Sequence, residues 1–508
     1  MRGDRGAAIR SPIGGWPVIE VALAALLGGV ILALLIVADR GDTKALAVIG
    51  AGLLGLSALV VLARVPGATD RFLLFLLVAT LSVSVKFHPI FRADHLGGSI
   101  GVRVSITDLL LLLAAAFAIG PALRRGWVLL RIDRAIAVTA GLYLLCAVTS
   151  TLASGDRQLG VFQVLALGQS MVVAVWIASR EWGAGARRTV MAAILCGVVL
   201  QSGVAIAQSV FPGKLQLQFL GAAEYSEGAP GGLPAVDVGA TTIAGVSVYR
   251  PTGLLIHPNL LAAYLVLTLP IAVAVALCGR SRGERVLGRV AAAGATGALY
   301  LSLSRSGWIG AAAAMTIATV LVWRWRAIAP SRALRVSIAL ACLCCVAGVA
   351  WQADRIYRRF TETADQALEF RAEYAQTAWR MAVAHPALGV GLNTFTDHAP
   401  QYDASGTSRI KAFPVHNVYL LELAETGFAG GLAFAALVAA IVVGALRAVR
   451  QSSPDARVFV IALAAGLMGF WVTQLSDYFY RIPIMTTLVW VHVGLVLGVS
   501  RSGGVTER

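Results

Sequence analysis

The stretch VFVIALAAGLMGFWVTQLS, residues 458–476, runs for 19 positions without a charged side chain. About 20 apolar residues in a helix cross the hydrocarbon core of a bilayer, which is about 30 Å thick. Ten further uncharged runs have a similar length, at 21–38, 45–63, 135–155, 158–179, 189–213, 251–279, 306–323, 336–353, 426–446 and 482–500. Three shorter runs, at 72–85, 109–123 and 290–304, bring the total to fourteen.

The composition of the 508-residue chain agrees with this pattern. Mean hydropathy is +0.78 and only 13% of the residues are charged, so a set of soluble domains is excluded. The first run has no small-residue cleavage site after it and further runs follow, which favours a retained span over a removed signal peptide. The sequence therefore predicts an all-α fold, a polytopic transmembrane helical bundle of about 14 spans.

The basic residues predict how the bundle is oriented. The chain carries 42 Lys and Arg against 26 Asp and Glu, a formal charge of +16. Arginines cluster between spans, at 124–134, 280–289 and 324–335. Because basic residues accumulate in cytoplasmic loops, these clusters predict a multi-pass protein with both termini in the cytoplasm. The net charge then reflects membrane topology, and nucleic acid is not expected as a partner.

Two long segments fall on the opposite, extracytoplasmic side. Residues 212–250 are rich in glycine and proline and are expected to be mostly irregular. Residues 354–415 begin with apolar side chains at helical spacing, which predicts an amphipathic helix along the membrane face. The stretch HPALGVGLNTF, 385–395, ends that helix with a proline and two glycines. These loops divide the chain into helical regions at 1–211, 251–353 and 416–508.

Three basic side chains reach the predicted outer face from different helices. Arg250 ends the first long loop, Arg305 lies in LSLSRSGW (301–308), and His416 precedes Asn417 at a helix entrance. The 34 residues from 290 to 323 carry no charge except Arg305. That length exceeds one span and falls short of two, so we expect the turn to dip below the membrane surface. Ionisable groups at membrane depth are costly and tend to be functional.

Simpler interpretations stand beside these. An arginine at a membrane boundary often extends its charge to the interface as an anchor, and this covers Arg305, Lys86, Arg92 and Arg481 alike. His416 is equally well placed to cap a helix. Glu422 and Glu425 share a helix face with each other and are expected to pair with arginines. The six cysteines lie within or at the ends of predicted spans, so neither disulfides nor a metal site is expected.

Four stretches, taken together, resemble a known family. They are YRPTGLLIHPNLLAAYL (249–265), LSRSGWIG (303–310), HPALGVGLNTF (385–395) and HNVYLLELAETGFAGGL (416–432). In this order and spacing, around one long outer loop, they are similar to the O-antigen ligase and polymerase superfamily. Members are bacterial polytopic membrane enzymes that transfer glycans from a polyprenyl-pyrophosphate carrier.

The resemblance implies a site at the outer face of the cytoplasmic membrane. It implies that Arg250 and Arg305 hold the pyrophosphate of an undecaprenyl-linked glycan donor, while His416 acts on the acceptor hydroxyl. Asn259 and Asn417, from the same motifs, are the predicted substrate-binding residues. Arginine suits the first role because its planar guanidinium grips phosphate oxygens through paired hydrogen bonds. A neutral imidazole suits the second because it can accept a proton.

The chemistry predicts a metal-independent and inverting transferase with no cofactor. Pyrophosphate is already a good leaving group, and no candidate nucleophile supports a second displacement. The acceptor, whether lipid, glycan or protein, decides between a ligase, a polymerase and an oligosaccharyltransferase, and the sequence leaves it open. A lipid-linked glycan transporter or flippase is the alternative from another class, and a non-catalytic scaffold is a third. A flippase should carry charges or broken helices near the bilayer midplane, whereas here the candidate cations gather on one face.

Overall fold

A computed structural model describes residues 68–83, 86–87, 90–92, 95, 97–102, 104–105, 107–108, 110, 133–211, 240–243, 246–327, 364–406 and 413–501. The spans predicted at 21–38, 45–63 and 336–353, and nearly all of the one at 109–123, lie outside these residues. The same holds for most of the loop at 212–250 and for the start of the segment at 354–415.

The described residues contain twelve α-helices and two small antiparallel hairpins. The helices are α1 (Ala68–Thr80), α2 (Arg134–Ala153), α3 (Arg157–Ser179), α4 (Ala184–Val210), α5 (Pro258–Cys278), α6 (Arg282–Leu301), α7 (Arg305–Arg324), α8 (Ala364–Ala384), α9 (Phe395–Tyr402), α10 (Val418–Gln451), α11 (Pro454–Thr473) and α12 (Pro483–Ser500). The strands are β1 (Lys86–Phe87), β2 (Val104–Ser105), β3 (Ala240–Ile243) and β4 (Val246–Tyr249), paired β1 with β2 and β3 with β4. A 3₁₀ turn at Phe479–Arg481 precedes α12.

Eight of these helices are long and apolar enough to cross a membrane, namely α2, α3, α4, α5, α7, α10, α11 and α12. Each covers one of the long runs recognised in the sequence. The all-α, polytopic membrane fold is thereby confirmed, whereas the total of fourteen spans stays a prediction. At 13 residues, or about 20 Å, α1 is shorter than the span expected at 72–85.

Local sequence signals explain where several helices begin. Asp133 caps α2 by accepting a hydrogen bond from the backbone N–H of Ala135. Ser281 and Glu284 form a reciprocal capping box at the start of α6. Helices α5, α11 and α12 begin with proline, whose fixed φ and missing N–H suit the first helical turn.

The chain forms two compact units, residues 1–73 with 107–129 and residues 74–106 with 130–508. In the described part of the first unit, Leu73 is buried against Phe72 and Leu110. The second unit has α5, α11 and α12 at its centre, where most of their side chains are buried. Helices α2 and α3 lie further out and expose large apolar side chains such as Leu145 and Val172, as lipid-facing helices do.

The hairpin around Arg305 joins two helices of equal length. Helix α6 begins at Arg282 and takes in the charged stretch up to Arg289, so α6 and α7 are each 20 residues long. The capping box at Ser281 starts α6 eight residues before the uncharged run. Helix α6 is not among the eight described helices that are apolar enough to cross a membrane, so the shortage of residues for two spans and the dip of the turn stay predictions.

The two outer segments are partly regular. In 212–250, residues 240–243 pair with 246–249 as β3 and β4, while the expectation that this segment is mostly irregular falls largely outside the described residues. In 354–415, α8 ends at Ala384, directly before the proline and glycines of 385–395, as predicted. The short helix α9 follows at Phe395.

Candidate active site

The candidate site lies in the second unit, where the beginnings of α5, α7 and α10 meet the turn between α11 and α12. The backbone N–H of Val418, the first residue of α10, is shared between the carbonyls of Gln474 and Asp477, at 3.1 Å each. Ser306, in the first turn of α7, donates to the carboxylate of Asp477. These contacts bring segments that are distant in the sequence to one place.

Arg250 is held by two neighbours from the predicted motifs. Its Nε donates to the carbonyl of Ser302 at 2.8 Å, and its Nη2 donates to Oδ1 of Asn259. Asn259 occupies the first turn of α5, whose cap is His257: the His257 Nδ1 accepts from the Asn259 backbone N–H at 3.1 Å. Asn259 thus orients the guanidinium of Arg250 in this structure. Substrate contact by Asn259 stays a prediction.

Asp477 is the residue that sequence reasoning missed. Its side chain is fully buried, and its carboxylate interacts with Ser306, Asn259 and the charge of Arg250. Burial raises the pKa of Asp477 to about 6, although Arg371 and these neighbours act in the opposite direction. The available signal was a lone acid in the short polar turn between the last two long apolar runs.

Arg371, on α8, is a third arginine that the sequence reading did not single out. Its charge acts on Arg305, on His416 and on Asp477. Arg305 itself is the first residue of α7, next to the cap Ser304, whose hydroxyl accepts from the Gly307 N–H at 3.2 Å. We refer to Arg250, Arg305 and Arg371 as the arginine cluster, in which Arg250 and Arg371 act on Asp477 and Arg371 acts on Arg305.

His416 lies beside this cluster. Its ring packs edge-on against Tyr478, with ring centroids 5.5 Å apart. Burial lowers the pKa of His416 to about 4, and the charge of Arg371 acts in the same direction. The pKa of His257 is lowered to about 3 by burial, then by the charges of Arg250 and His416. Both imidazoles are therefore neutral at pH 7 and able to accept a proton.

Asn417, rather than His416, caps α10. Its Oδ1 accepts from the Leu420 N–H at 3.1 Å, and its Nδ2 donates to the Leu475 carbonyl at 3.0 Å. The cap interpretation considered for His416 therefore belongs to its neighbour. Because both ends of the Asn417 amide bind backbone groups, its contact with substrate stays a prediction.

The comparison with known families fits this geometry. Residues 290–435 match the family model described as O-Antigen ligase. The match supports the assignment to the O-antigen ligase and polymerase superfamily. The matched range contains Arg305, Arg371 and His416, whereas Arg250 and Asp477 join the site from outside it. No curated protein matches the chain.

The O-antigen ligase family comprises membrane glycan transferases of ligase or polymerase type that use lipid-linked glycan donors. Together with the eight apolar helices, the match supports a multi-pass membrane protein with an O-antigen ligase-like region. Among the residues that the structure describes, no three His, Cys, Asp or Glu side chains lie together as a metal-binding group. Independence from metal stays a prediction.

Arg481 differs from the expectation of a boundary anchor. Its side chain is fully buried and binds two carboxylates of the O-antigen ligase region, Glu422 at 2.8 Å and Glu425 at 2.6 Å. The anchor interpretation is wrong for this residue, because a side chain that extends to the interface would remain exposed. The expectation that the two glutamates pair with an arginine is confirmed.

Proposed function

We propose that the protein transfers an oligo- or polysaccharide from an undecaprenyl-pyrophosphate carrier to an acceptor hydroxyl. The reaction takes place at the outer face of the bacterial cytoplasmic membrane, with both termini in the cytoplasm. One observation carries this proposal, the arginine cluster beside a neutral, half-buried His416. The reaction needs cationic groups to bind the pyrophosphate and, beside them, a neutral base to accept a proton.

The arginine cluster matches a pyrophosphate in charge and in shape. The charges of Arg250 and Arg371 act on the carboxylate of Asp477, and the charge of Arg371 acts on Arg305. Each of the three guanidinium groups carries a planar set of donors suited to phosphate oxygens. The starts of α5, α7 and α10 meet at the same place, and helix amino termini also favour anions. Asn259 and Ser302 already hold the side chain of Arg250 in one orientation, so ligand binding loses little of its conformational entropy.

The proposed reaction is a single displacement at the anomeric carbon of the donor. The acceptor oxygen forms a bond to this carbon while the bond to the pyrophosphate oxygen breaks. His416 takes the proton of the hydroxyl, and undecaprenyl pyrophosphate leaves with the bonding electron pair. One displacement inverts the anomeric configuration. The arginines stabilise the negative charge that develops on the leaving group, which removes the need for a metal.

The low pKa of His416 is compatible with the role of base. Without a donor, burial and Arg371 hold the imidazole neutral. A bound pyrophosphate adds negative charge beside the ring, and a neighbouring anion raises a histidine pKa. The donor therefore makes His416 a stronger base at the moment when a proton has to be removed.

The acceptor separates two forms of this function. A ligase places the glycan on another molecule, such as a lipid core or a protein hydroxyl, and a polymerase places it on a second lipid-linked glycan. Both require the same donor site and the same base. The ligase is our proposal, because the matching family is described as O-antigen ligase.

The test is a transfer assay with the purified protein in liposomes that contain a fluorescent, undecaprenyl-pyrophosphate-linked glycan. We expect transfer to an added lipid-core acceptor and release of undecaprenyl pyrophosphate, without divalent metal. A ladder of products made from the donor alone would identify a polymerase. Movement of intact donor across the bilayer without transfer would contradict the proposal and support a flippase.

A further inference from the structure

Helix α10 is interrupted one turn after its two buried glutamates. Gly427 has φ 71° and ψ −175°, a backbone conformation that is unfavourable for residues with a Cβ. The Phe428 N–H, which would bind the Ala424 carbonyl in a regular helix, donates to the Pro386 carbonyl at 2.9 Å. Residues 416–426 thus form a separate piece, which we call the front segment, and it carries His416 at its beginning.

The loop at 386–395 takes over the hydrogen bonds that the helix loses. Val390 and Gly391 donate their N–H groups to the carbonyls of Ala424 and Glu425, at 3.0 and 3.1 Å. The approach is so close that a Cβ on Gly389 would lie 2.2 Å from the carbonyl carbon of Glu425. The end of the front segment is therefore bound to this loop as well as to the rest of α10.

The carboxylate of Glu425 is the centre of this junction. Its Oε1 accepts from the Phe395 N–H at 3.0 Å, and its Oε2 accepts from the Asn393 N–H at 2.7 Å. The same Oε2 accepts from Nη2 of Arg481 at 2.6 Å. Three donors converge on its two oxygens, and a carboxylate can accept all of these hydrogen bonds.

Asn393 extends the junction to the first part of the second unit. Its φ is 64°, and its side-chain Nδ2 donates to the carbonyls of Ser99 and Leu159, at 2.9 and 3.1 Å. Its Oδ1 lies 3.1 Å from Nε2 of His95. Two segments that are distant in the sequence, residues 95–99 and the start of α3, are therefore tied through Asn393 to the carboxylate of Glu425.

We propose that Glu425 is a positioning residue for the transfer reaction. It holds the front segment against the loop at 386–395, and so keeps His416 in place beside the arginine cluster. We call Glu425, Arg481, Asn393 and the N–H of Phe395 the Glu425 clamp. This inference rests on the proposed function, in which His416 is the base. Glu425 acts through the backbone, nine residues from the imidazole.

Glu422 is the matched control that the chain offers. It lies one turn before Glu425, is equally buried, and binds the same arginine through Oε1. Its described contacts, with Arg481 and Tyr143, are to side chains and not to the loop. Either substitution to glutamine leaves Arg481 with one carboxylate, so the charge lost is the same. Only Glu425→Gln places an amide group opposite the backbone N–H groups of Asn393 and Phe395, which donate hydrogen bonds to the carboxylate in the wild type.

The experiment compares Glu425→Gln, Glu422→Gln and Glu425→Asp in the full protein in lipid nanodiscs. Hydrogen exchange is measured on peptides that cover 386–400 and 414–426, and transfer kinetics on the same preparations. For Glu425→Gln we expect faster exchange in both peptides. Its kcat should fall by about 10- to 100-fold, the scale of a small misplacement of a reacting group, with donor KM within about threefold.

Glu422→Gln should keep the wild-type exchange pattern and a kcat within about threefold of wild type. Glu425→Asp should be faster than Glu425→Gln, because it restores the carboxylate. Unchanged exchange in Glu425→Gln would overturn the clamp. Faster exchange with an unchanged kcat would overturn the positioning role. A wild-type protein without transfer activity would instead refute the proposed function, and the exchange data would still report on the clamp.

Discussion

Two polar regions of the second unit use arginine in opposite ways. In the Glu425 clamp, one fully buried guanidinium faces two carboxylates, and backbone donors occupy the oxygens of Glu425. In the arginine cluster, the charges of Arg250 and Arg371 act on Asp477, that of Arg371 acts on Arg305, and Arg250 and Arg305 are only half-buried. The clamp region sets two carboxylates against one guanidinium, whereas the cluster sets three guanidinium groups against one carboxylate. That contrast distinguishes a structural ion pair from a site for an anion.

The largest expected effect comes from breaking the clamp at Arg481. Arg481→Met leaves Glu422 and Glu425 buried without their cation, and removal of one partner from a buried pair costs about 3–5 kcal/mol. We expect a large fall in the thermal unfolding temperature of the detergent-solubilised protein. The control is Arg280→Met, which breaks an exposed pair with Asp455 and should cost less than about 1 kcal/mol. Equal losses in the two variants would contradict the contrast.

The second prediction concerns the arginine cluster. Arg305→Lys keeps the charge and loses the planar set of donors, so we expect transfer to fall by about 10- to 100-fold with little change in unfolding temperature. The measurement is kcat/KM for the donor beside a thermal melt. Near-normal transfer by the lysine variant would show that Arg305 is a membrane anchor, because an anchor tolerates lysine.

Sequence reasoning reached those parts of the site that lie in short motifs. Arg250, Arg305 and His416 each stand beside a proline, a serine turn or an asparagine at a helix entrance, and the structure places all three around one junction of helices. Arg371 and Asp477 were missed. Arg371 is one of several charges on an amphipathic helix, and Asp477 meets Ser306 from a distance of 171 residues in the chain. Local patterns do not encode such pairings.

In the fold, too, local features were predictable from the sequence and tertiary contacts were not. Apolar runs were enough to locate the eight long helices, because hydrophobic length is a local property. The break at Gly427 was not foreseen, although the glycine was visible within the motif. It depends on the loop at 386–395 replacing hydrogen bonds of the helix, and this docking is a tertiary contact. The burial of Arg481 was missed for the same reason.

The third prediction uses the titration of Asp477. With a pKa of about 6, this carboxyl is ionised above pH 6 and protonated below it. Only the ionised form carries the negative charge that acts on Arg250 and Arg371. We expect kcat/KM for the donor, which reports the free enzyme, to fall by about tenfold per pH unit below pH 6. Asp477→Asn should remove this inflection. If the inflection persists in the asparagine variant, another group causes it. His416 is not expected to be that group, because its pKa of about 4 lies well below pH 6.

The smallest expected effect concerns Asn417, which the resemblance assigned to substrate binding. Because its side chain caps α10, Asn417→Ala should lower stability by about 1 kcal/mol, as the loss of a helix cap does. We expect donor KM to stay within about threefold of wild type, since both polar atoms of the amide already bind backbone groups. A large rise in donor KM at unchanged stability would show that Asn417 binds the substrate.

The most direct test of the account is turnover and donor binding in His416→Ala, measured on one preparation. The substitution leaves the cap of α10 intact, because the cap is Asn417. If His416 is the base, kcat should fall by about 10²- to 10⁴-fold, the usual contribution of a positioned base, while donor affinity is retained by the arginines. A turnover near that of wild type would contradict the account, as would a loss of donor affinity as large as the loss of rate.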